Sequence, residues 1–340
     1  SIRIVFMGTP EFAVEPLKAL IEAGMEISAV VTAPDKPAGR GKKLKSSAVK
    51  AFATSELNCP VLQPEKLKDP DFANQLKSFN AHLFIVVAFR MLPEVVWTIP
   101  KHGTVNLHAS LLPQYRGAAP LNWCLINGEE ETGVTTFLID QKIDTGRILL
   151  QEKISIGGNE NAGSLHDRLM TVGAKLVVTT VKQIMEEKVE AIDQGAFNIP
   201  EEKLKKAPRI FKDDCRIDWN RSREEVHNLV RGLSPTPGAF TMLHCNDQEP
   251  VQVKIFETMP VEEEGADEQY SSDQHNQPNN IQPGTILSDQ KSFMKVACID
   301  GWLEVLNLQP AGRNRMSAAD FVRGFKGDIN NCVLKHVFQK

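Results

Sequence analysis

Residues 106–117 read Asn106-Leu107-His108-Ala109-Ser110-Leu111-Leu112-Pro113-Gln114-Tyr115-Arg116-Gly117, and this stretch decides the fold of the first part of the chain. The β-branched pair Thr104-Val105 leads into it, which predicts a strand that ends in a loop. Side chains alternate along a strand, so Asn106 and His108 lie on the same face. Pro113 blocks continuation of the strand because it has no backbone N–H for the ladder. The stretch therefore predicts two hydrogen-bonding side chains at the end of a strand.

A second strand and loop follow at residues 133–146. Residues 133–139 are mostly apolar or β-branched, and they lead into Asp140-Gln141-Lys142-Ile143-Asp144-Thr145-Gly146. If the two strands run parallel in one sheet, Asp144 lies at the same carboxyl edge as Asn106 and His108, where open α/β sheets place their sites. Taken singly, each of these residues is more typical of a turn or a cap than of a catalytic group. Together they predict a functional site.

The opening of the chain indicates the class of sheet. Residues 2–7 predict a buried strand, Gly8-Thr9-Pro10 a tight turn, residues 17–23 a helix, and residues 27–32 a second strand. A strand–helix–strand unit predicts parallel pairing with a right-handed crossover. Residues 83–88 are apolar throughout, as is typical of a central parallel strand. We therefore predict an α/β fold with a Rossmann-like, doubly wound, mostly parallel sheet. A single turn glycine in place of G-x-G-x-x-G disfavours a dinucleotide site.

The pattern of the chain changes after about residue 200. Residues 201–212 are polar, basic and broken by Pro208, which predicts a linker between domains. Residues 213–340 hold several short strand-like runs without long helices between them, which predicts a small OB-like β-barrel. Residues 261–283 carry six acidic residues and no Lys or Arg, so we expect a disordered hairpin tip there. The predicted organisation is a Rossmann-like domain over residues 1–200, then the linker, then the barrel.

Composition narrows the class of protein. The chain has 340 residues, a formal net charge of −4 and 41% hydrophobic residues, which is typical of a soluble protein of two domains. It has no run of about 18 or more apolar residues and opens on a strand without a secretory signal, so we expect a cytoplasmic protein without membrane contact. Its six cysteines are scattered without a Cys-x-x-Cys pair, which favours reduced thiols over a zinc site or a disulfide framework.

Three motifs together resemble the folate-dependent formyltransferases. They are Asn-x-His at 106–108, Ser-Leu-Leu-Pro-x-x-x-Gly at 110–117, and Asp-x-Gly-x-Asp-Thr-Gly at 140–146, in which Lys142 replaces the usual glycine. Similar stretches near the C-terminus, such as Arg216-Ile217-Asp218-Trp219, extend the resemblance over nearly the whole chain. The resemblance implies transfer of a formyl group from 10-formyltetrahydrofolate to the α-amino group of initiator methionyl-tRNA. It also implies a monomer, one protein molecule per tRNA, and no metal.

The resemblance assigns catalysis to Asn106, His108 and Asp144. Formyl transfer to an amine is an acyl transfer, which requires donors for an oxyanion and an acceptor for a proton. Asn106 supplies an amide N–H, and a protonated His108 supplies a second donor. Asp144 either holds His108 as an imidazolium or accepts the proton through water, and the sequence leaves both roles open.

Two further groups of residues are expected to bind the substrates. Resemblance to the walls of the family's folate pocket implies contacts from Ser110, Leu111, Leu112, Pro113, Phe89, Met91 and Leu92. Residues 34–50 carry six basic residues against Asp35, and they are either a solvated loop or a basic arm that seeks phosphate. The resemblance favours the arm, since family members that act on tRNA have a similar insertion. The expected tRNA contacts are Arg40, Lys42, Lys43, Lys45, Lys203, Lys205 and Lys206.

Other functions compete with this one. A formyltetrahydrofolate hydrolase or a sugar-amine formyltransferase would use the same three residues, but the basic arm and the predicted barrel argue against both. An RNA-binding protein with a relic Rossmann-like half is a different class, and the intact set of Asn106, His108 and Asp144 argues against it. A nicotinamide oxidoreductase is the weakest alternative, because the glycine fingerprint is missing.

Overall fold

The structure, a computed structural model, describes residues 1–38, 43–246, 248–261 and 281–336. The chain divides into two compact units. The N-terminal unit comprises Ser1–Pro120, Glu131–Ser155 and His166–Pro208, and the C-terminal unit comprises Leu121–Glu130, Ile156–Leu165 and Arg209–Lys340. Most of the predicted acidic tip, residues 262–280, lies outside the described residues.

The elements are numbered here in chain order. The strands are β1 (Arg3–Gly8), β2 (Glu26–Val31), β3 (Lys36–Ala38), β4 (Lys43–Lys45), β5 (Val61–Leu62), β6 (Leu83–Val87), β7 (Thr104–His108), β8 (Arg116–Gly117), β9 (Glu131–Leu138), β10 (Ile148–Ser155), β11 (Lys206–Ala207), β12 (Ala239–Cys245), β13 (Val251–Pro260), β14 (Ile286–Leu287), β15 (Lys295–Cys298), β16 (Gly301–Pro310), β17 (Met316–Ser317) and β18 (Cys332–Lys335). The helices are α1 (Val14–Glu22), α2 (Ala48–Glu56), α3 (Pro70–Ser78), α4 (Glu94–Trp97), α5 (Pro120–Ile126), α6 (Ala162–Met185), α7 (Arg223–Gly232) and α8 (Ala318–Arg323). None of the described helices is long and apolar enough to span a membrane.

The N-terminal unit is built on a sheet with the strand order β10-β9-β7-β6-β1-β2-β5. The five strands from β7 to β5 pair in parallel, and β1 and β6 lie at the centre. Every residue of β6 is buried, as expected for a strand covered on both faces. This arrangement confirms the predicted α/β class and the mostly parallel sheet.

The direction of β9 corrects one step of the prediction. β9 pairs with β7 in the antiparallel direction, with Asn106 opposite Phe137 and His108 opposite Thr135. The two strands therefore do not share a carboxyl edge, and the parallel arrangement assumed above is wrong. An apolar, β-branched run fits a strand of either direction, so the sequence pattern could not decide between them.

Residues 139–147, here called the Asp144 loop, connect β9 to β10. The N–H of Leu138 donates to the carbonyl of Arg147 at 2.9 Å, which closes the base of the loop. Gly146 passes so near the strand that a Cβ there would lie 1.6 Å from the Leu138 carbonyl oxygen, so only glycine fits. The loop is consequently held close to the sheet rather than projecting from it.

The segment predicted as a linker contributes a strand to the N-terminal unit. β11 pairs in parallel with β8, so Lys206 lies opposite Arg116 and Ala207 opposite Gly117. Gly117 has φ +130°, and a Cβ there would lie 2.3 Å from the Ala207 carbonyl oxygen. Residues 201–207 thus lie beside the loop that follows β7.

The C-terminal unit is an antiparallel sheet that curves toward closure. Its main path runs β14-β15-β16-β13-β12-β18, and β17 pairs with β16. A bridge between Thr285 and Val333, together with a 2.9 Å hydrogen bond from Leu334 N–H to the Gly284 carbonyl, links the two ends of that path. The buried Trp219 lies in the core that the sheet encloses. The predicted small barrel is confirmed.

The cysteines differ from the expectation. Cys245 on β12 and Cys332 on β18 form a disulfide, although the sequence favoured reduced thiols throughout. The two residues are 87 positions apart but directly opposite each other on neighbouring strands. Cys59, Cys124, Cys215 and Cys298 are free, in line with the expectation for those four.

Candidate active site

The structure brings Asn106, His108 and Asp144 together. Asn106 and His108 lie two residues apart at the end of β7, on one face of the strand. The Nδ1 atom of His108 is 3.7 Å from Oδ2 of Asp144, and both side chains are at least nine-tenths buried. The Asp144 loop therefore achieves by folding back what the parallel arrangement was expected to achieve by strand direction.

The imidazole of His108 is oriented from its other nitrogen. Nε2 lies 2.8 Å from the carbonyl oxygen of Tyr115, and because a carbonyl can only accept, Nε2 carries a proton. The ring also packs edge-on against Phe137, with centroids 6.5 Å apart. Nδ1 is thereby directed at the carboxylate of Asp144.

Asp144 is fixed by its own backbone and by one backbone donor. Its φ is +56°, in the left-handed region, which is strained for a residue with a Cβ. Its Oδ2 atom accepts a 2.9 Å hydrogen bond from the N–H of Gly117. Strained backbone of this kind is concentrated at functional sites, and here it sets the direction of the carboxylate.

Asn106 has an unsatisfied polar atom. Its Oδ1 is buried and has no hydrogen-bond partner among the described residues. A buried, unpaired amide oxygen costs about 1–3 kcal/mol, so native proteins rarely keep one without a reason such as a ligand. The amide of Asn106 is therefore suited to contact a bound molecule.

The turn after β7 is held by Thr135 and Gln151. The hydroxyl of Thr135 donates to the carbonyl of Ser110 at 2.6 Å, and it accepts from the N–H of Leu112 at 3.2 Å. Gln151 donates to the carbonyl of Leu112 at 2.8 Å. Of the four residues predicted to contact folate here, Ser110, Leu112 and Pro113 are buried and Leu111 is half-buried.

The second group of predicted folate contacts follows β6. Met91 is 62% exposed, and Phe89 is half-buried with the guanidinium of Arg90 over its ring. Leu92 is buried in the core of the N-terminal unit. Met91 and Phe89 are thus accessible from solvent, whereas Leu92 contributes mainly to packing.

The predicted basic contacts fall into two groups. Lys203, Lys205 and Lys206 are exposed, and the carbonyl of Lys205 accepts from the N–H of Tyr115 at 2.7 Å. Lys45 is exposed and Lys43 lies in β4. Arg40 and Lys42 lie outside the described residues.

A cavity of about 200 Å³ adjoins the Asp144 loop. Apolar side chains and the basic residues of β8 and β11 line it together. Its lining is Pro113, Arg116, Gly117, Ile143, Glu201, Leu204, Lys205 and Lys206. Sequence reasoning quoted Gly117 in a motif but assigned it no role; the fixed spacing of that glycine was the available signal.

Comparison with known proteins identifies the family. The chain matches the model of the family described as formyl transferase over residues 2–181, and the model of the formyl transferase C-terminal domain over residues 209–326. Solved structures with a similar fold include a sugar N-formyltransferase from Helicobacter canadensis in complex with folinic acid and dTDP-3-aminofucose. That structure has a TM-score of 0.61 and 20% identity, over 90% of this chain and 99% of the other. HypX from Aquifex aeolicus in complex with tetrahydrofolic acid has a TM-score of 0.59 and 17% identity, over 96% of this chain and 48% of the other.

Relatives at higher identity narrow the family further. A methionyl-tRNA formyltransferase of Azobacteroides pseudotrichonymphae is 51% identical over 324 residues, 95% of this chain and 95% of the relative. One of Bacteroides fragilis is 48% identical over 325 residues, 96% of this chain and 95% of the relative. The chain therefore belongs to the formyl transferase family and, within it, to the methionyl-tRNA formyltransferases.

Proposed function

We propose that this enzyme transfers the formyl group of 10-formyltetrahydrofolate to the α-amino group of initiator methionyl-tRNA, with Asn106, His108 and Asp144 as its catalytic residues. The observation that carries the proposal is the approach of His108 Nδ1 to Asp144 Oδ2, 3.7 Å apart, beside an unsatisfied Asn106 amide. The folate complexes of proteins with a similar fold support the choice of donor.

A count of protons at the His108–Asp144 pair supports a role as base. Because Nε2 donates to the Tyr115 carbonyl, a neutral His108 has a bare Nδ1 that faces a carboxylate. Two acceptors then point at each other without a proton between them. An amine that attacks a formyl carbon must lose a proton, and this pair accepts one and holds it between Nδ1 and Oδ2. Asp144 stabilises the imidazolium that results.

The oxyanion needs a donor on the other side of the reacting carbon. The amide of Asn106 lies on the same strand face as His108 and has a side-chain oxygen with no partner within the described part of the chain. An amide N–H aimed at a developing oxyanion is worth about 10²–10³ in rate. His108 and Asp144 manage the proton, and Asn106 manages the charge on oxygen.

The folate is expected to bind along the ends of β6 and β7. The turn at residues 110–113 is pinned to β9 by Thr135 and supplies a rigid wall. Met91 and Phe89 supply apolar surface suited to the flat pterin ring. These contacts follow the folate contacts expected from the sequence, with Leu92 acting from the core behind them.

The acceptor tRNA is expected to meet the exposed lysines beside the cavity. Lys205 and Lys206 line it together with Ile143, which adjoins Asp144. Exposed cations near the reacting centre attract phosphates of the acceptor end. The basic arm, including Arg40 and Lys42, is proposed as a second contact. We further propose that the enzyme acts as a monomer in the cytoplasm and requires no metal.

An assay of acceptor and site together tests the proposal. Purified enzyme receives 10-formyltetrahydrofolate with charged initiator tRNA, or with a nucleotide-linked amino sugar, and formylated product is measured. Wild type should formylate the tRNA and leave the sugar unchanged. Asn106→Ala should lower kcat by about 10²–10³ with an unchanged melting temperature. Preference for the sugar would reject the acceptor, and a change in kcat under about threefold would remove Asn106 from catalysis.

A further inference from the structure

Gln194 is a buried side chain that no motif in the sequence singled out. It is 5% exposed and begins a short 3-10 segment, Gln194–Phe197. Its Oε1 accepts from Nε and Nη2 of Arg116 at 3.0 and 2.6 Å. Its Nε2 donates to the carbonyls of Asp144 and Gly146, both at 2.8 Å. Both ends of the amide are thus fully used, and one end holds the Asp144 loop.

The backbone leading to Gln194 is anchored independently. Ile192 and Ile148 exchange two backbone hydrogen bonds of 2.8 Å at the start of β10. The carboxylate of Asp193 then accepts from the N–H of Gly195 at 2.7 Å, which fixes the turn around Gln194. The amide therefore reaches the Asp144 loop from a fixed point on the sheet edge.

These bonds close a ring around the catalytic carboxylate. Gln194 holds Arg116 by the guanidinium, and the next residue, Gly117, donates its N–H to Oδ2 of Asp144. The carbonyl of Asp144 returns to Gln194. The ring holds the carboxylate from its side chain and from its backbone at once, at a residue whose φ of +56° is strained.

We propose that Gln194 is a positioning residue for catalysis: it holds Asp144 in the strained conformation that directs its carboxylate at Nδ1 of His108. The inference rests on the proposed function of that pair. Gln194 touches neither substrate nor the reacting atoms, and it acts through Asp144 and Gly117. Without it, the Asp144 loop relaxes and the carboxylate leaves the imidazole.

The chemistry of the ring requires an amide at this position. The guanidinium needs an acceptor, and the two loop carbonyls need donors, so a single side chain must present both. A glutamate has the right shape and would keep Arg116, but its carboxylate would oppose two carbonyl oxygens and add a negative charge near Asp144. A methionine has similar length and would satisfy neither side.

Gln194→Glu and Gln194→Met test the inference against a matched control, Thr180→Val. Thr180 is also fully buried in the N-terminal unit, and its hydroxyl bonds to Thr136 and to the Leu176 carbonyl. It touches none of the site residues, so its variant measures the loss of a buried hydrogen bond alone. Steady-state kinetics, thermal melting and amide exchange over residues 140–147 and at Gly117 are measured on all four proteins.

Both Gln194 variants should lower kcat about 10–100-fold, since a misplacement near 1 Å costs up to about 10²-fold. KM for both substrates should stay within twofold, and exchange should rise in residues 140–147 and at Gly117. Thr180→Val should keep kcat and normal exchange there, even if it melts earlier. Unchanged kcat or exchange in the Gln194 variants would overturn the inference. A wild type without formyl transfer to methionyl-tRNA would instead reject the proposed function, and the exchange result would remain separately readable.

Discussion

Two buried histidines, His108 in the N-terminal unit and His227 in the C-terminal unit, show what separates a catalytic imidazole from a structural one. Both are at least nine-tenths buried. Both direct Nε2 at a backbone carbonyl, that of Tyr115 at 2.8 Å and that of Gly158 at 3.2 Å. Burial and one anchored nitrogen therefore do not distinguish the two residues.

The second nitrogen makes the difference. Nδ1 of His227 lies 3.0 Å from the hydroxyl of Thr258, a neutral group that donates to it. Nδ1 of His108 faces the carboxylate of Asp144 at 3.7 Å, with no proton between them when the imidazole is neutral. His227 is complete as a neutral ring, whereas His108 lacks a proton that a reaction can supply. A buried histidine becomes a candidate base when its remaining nitrogen faces an anion across a gap.

The largest expected effect comes from removing that anion. Asp144→Asn keeps an oxygen for the Gly117 N–H but loses the negative charge, so the proton taken from the amine is no longer stabilised on His108. We expect kcat to fall about 10²–10⁴-fold without loss of folding. Steady-state formylation and thermal melting are the measurements.

The chain provides a matched control for Asp144→Asn. Asp167 lies 3.0 Å from His166, but it forms an exposed His–Asp pair. Asp167→Asn should leave kcat unchanged, because solvent screens the pair. Equal losses from both variants, or none from Asp144→Asn, would break the distinction drawn between the two kinds of histidine environment.

The converse prediction concerns stability. His227→Leu leaves the Thr258 hydroxyl and the Gly158 carbonyl without their partner in a buried place. We expect the free energy of unfolding to fall by about 1–3 kcal/mol, while kcat at a temperature where the protein is folded stays near wild type. Urea denaturation followed by the kinetic assay checks both. A catalytic loss without a loss of stability would assign His227 to the wrong class.

A smaller effect should appear in the pH dependence of stability. Burial lowers the pKa of His227 below its model value of 6.5. The unfolded chain therefore binds a proton at this residue first, and the free energy of unfolding falls as pH drops below about 6.5. His227→Leu should lack this component, so its stability should vary less than wild type just below that pH. Parallel curves for the two proteins would contradict the prediction.

The smallest effect concerns the exposed lysines. Lys205→Ala combined with Lys206→Ala should weaken tRNA binding several-fold and lower the slope of log affinity against log salt by about 1 per residue. Binding titrations at several salt concentrations measure it, with Arg40→Ala plus Lys42→Ala as the parallel test of the basic arm. An unchanged slope would leave these cations as ordinary solvated surface.

The candidate site was predictable where its chemistry is local. The alternation of β7 predicts that Asn106 and His108 share a face, and the motif around Pro113 predicts the turn that follows. Asp144 was correctly expected nearby, but for a wrong reason, since β9 is antiparallel to β7 and the loop folds back instead. The supporting residues were out of reach: Gln194 is 78 positions from Arg116, and no local pattern marks such a pair.

By itself, the sequence determined the classes of the two units, the presence of strands with polar ends, and the identity of the groups that can perform acyl transfer. Those features follow from backbone preferences and side-chain alternation, which act over a few residues. Only the tertiary structure decided the direction of β9, the pairing of β11 with β8, and the ring that holds Asp144 through Gln194. Such contacts join segments that are remote along the chain, and they form only because packing of the whole unit brings their backbones within hydrogen-bond distance.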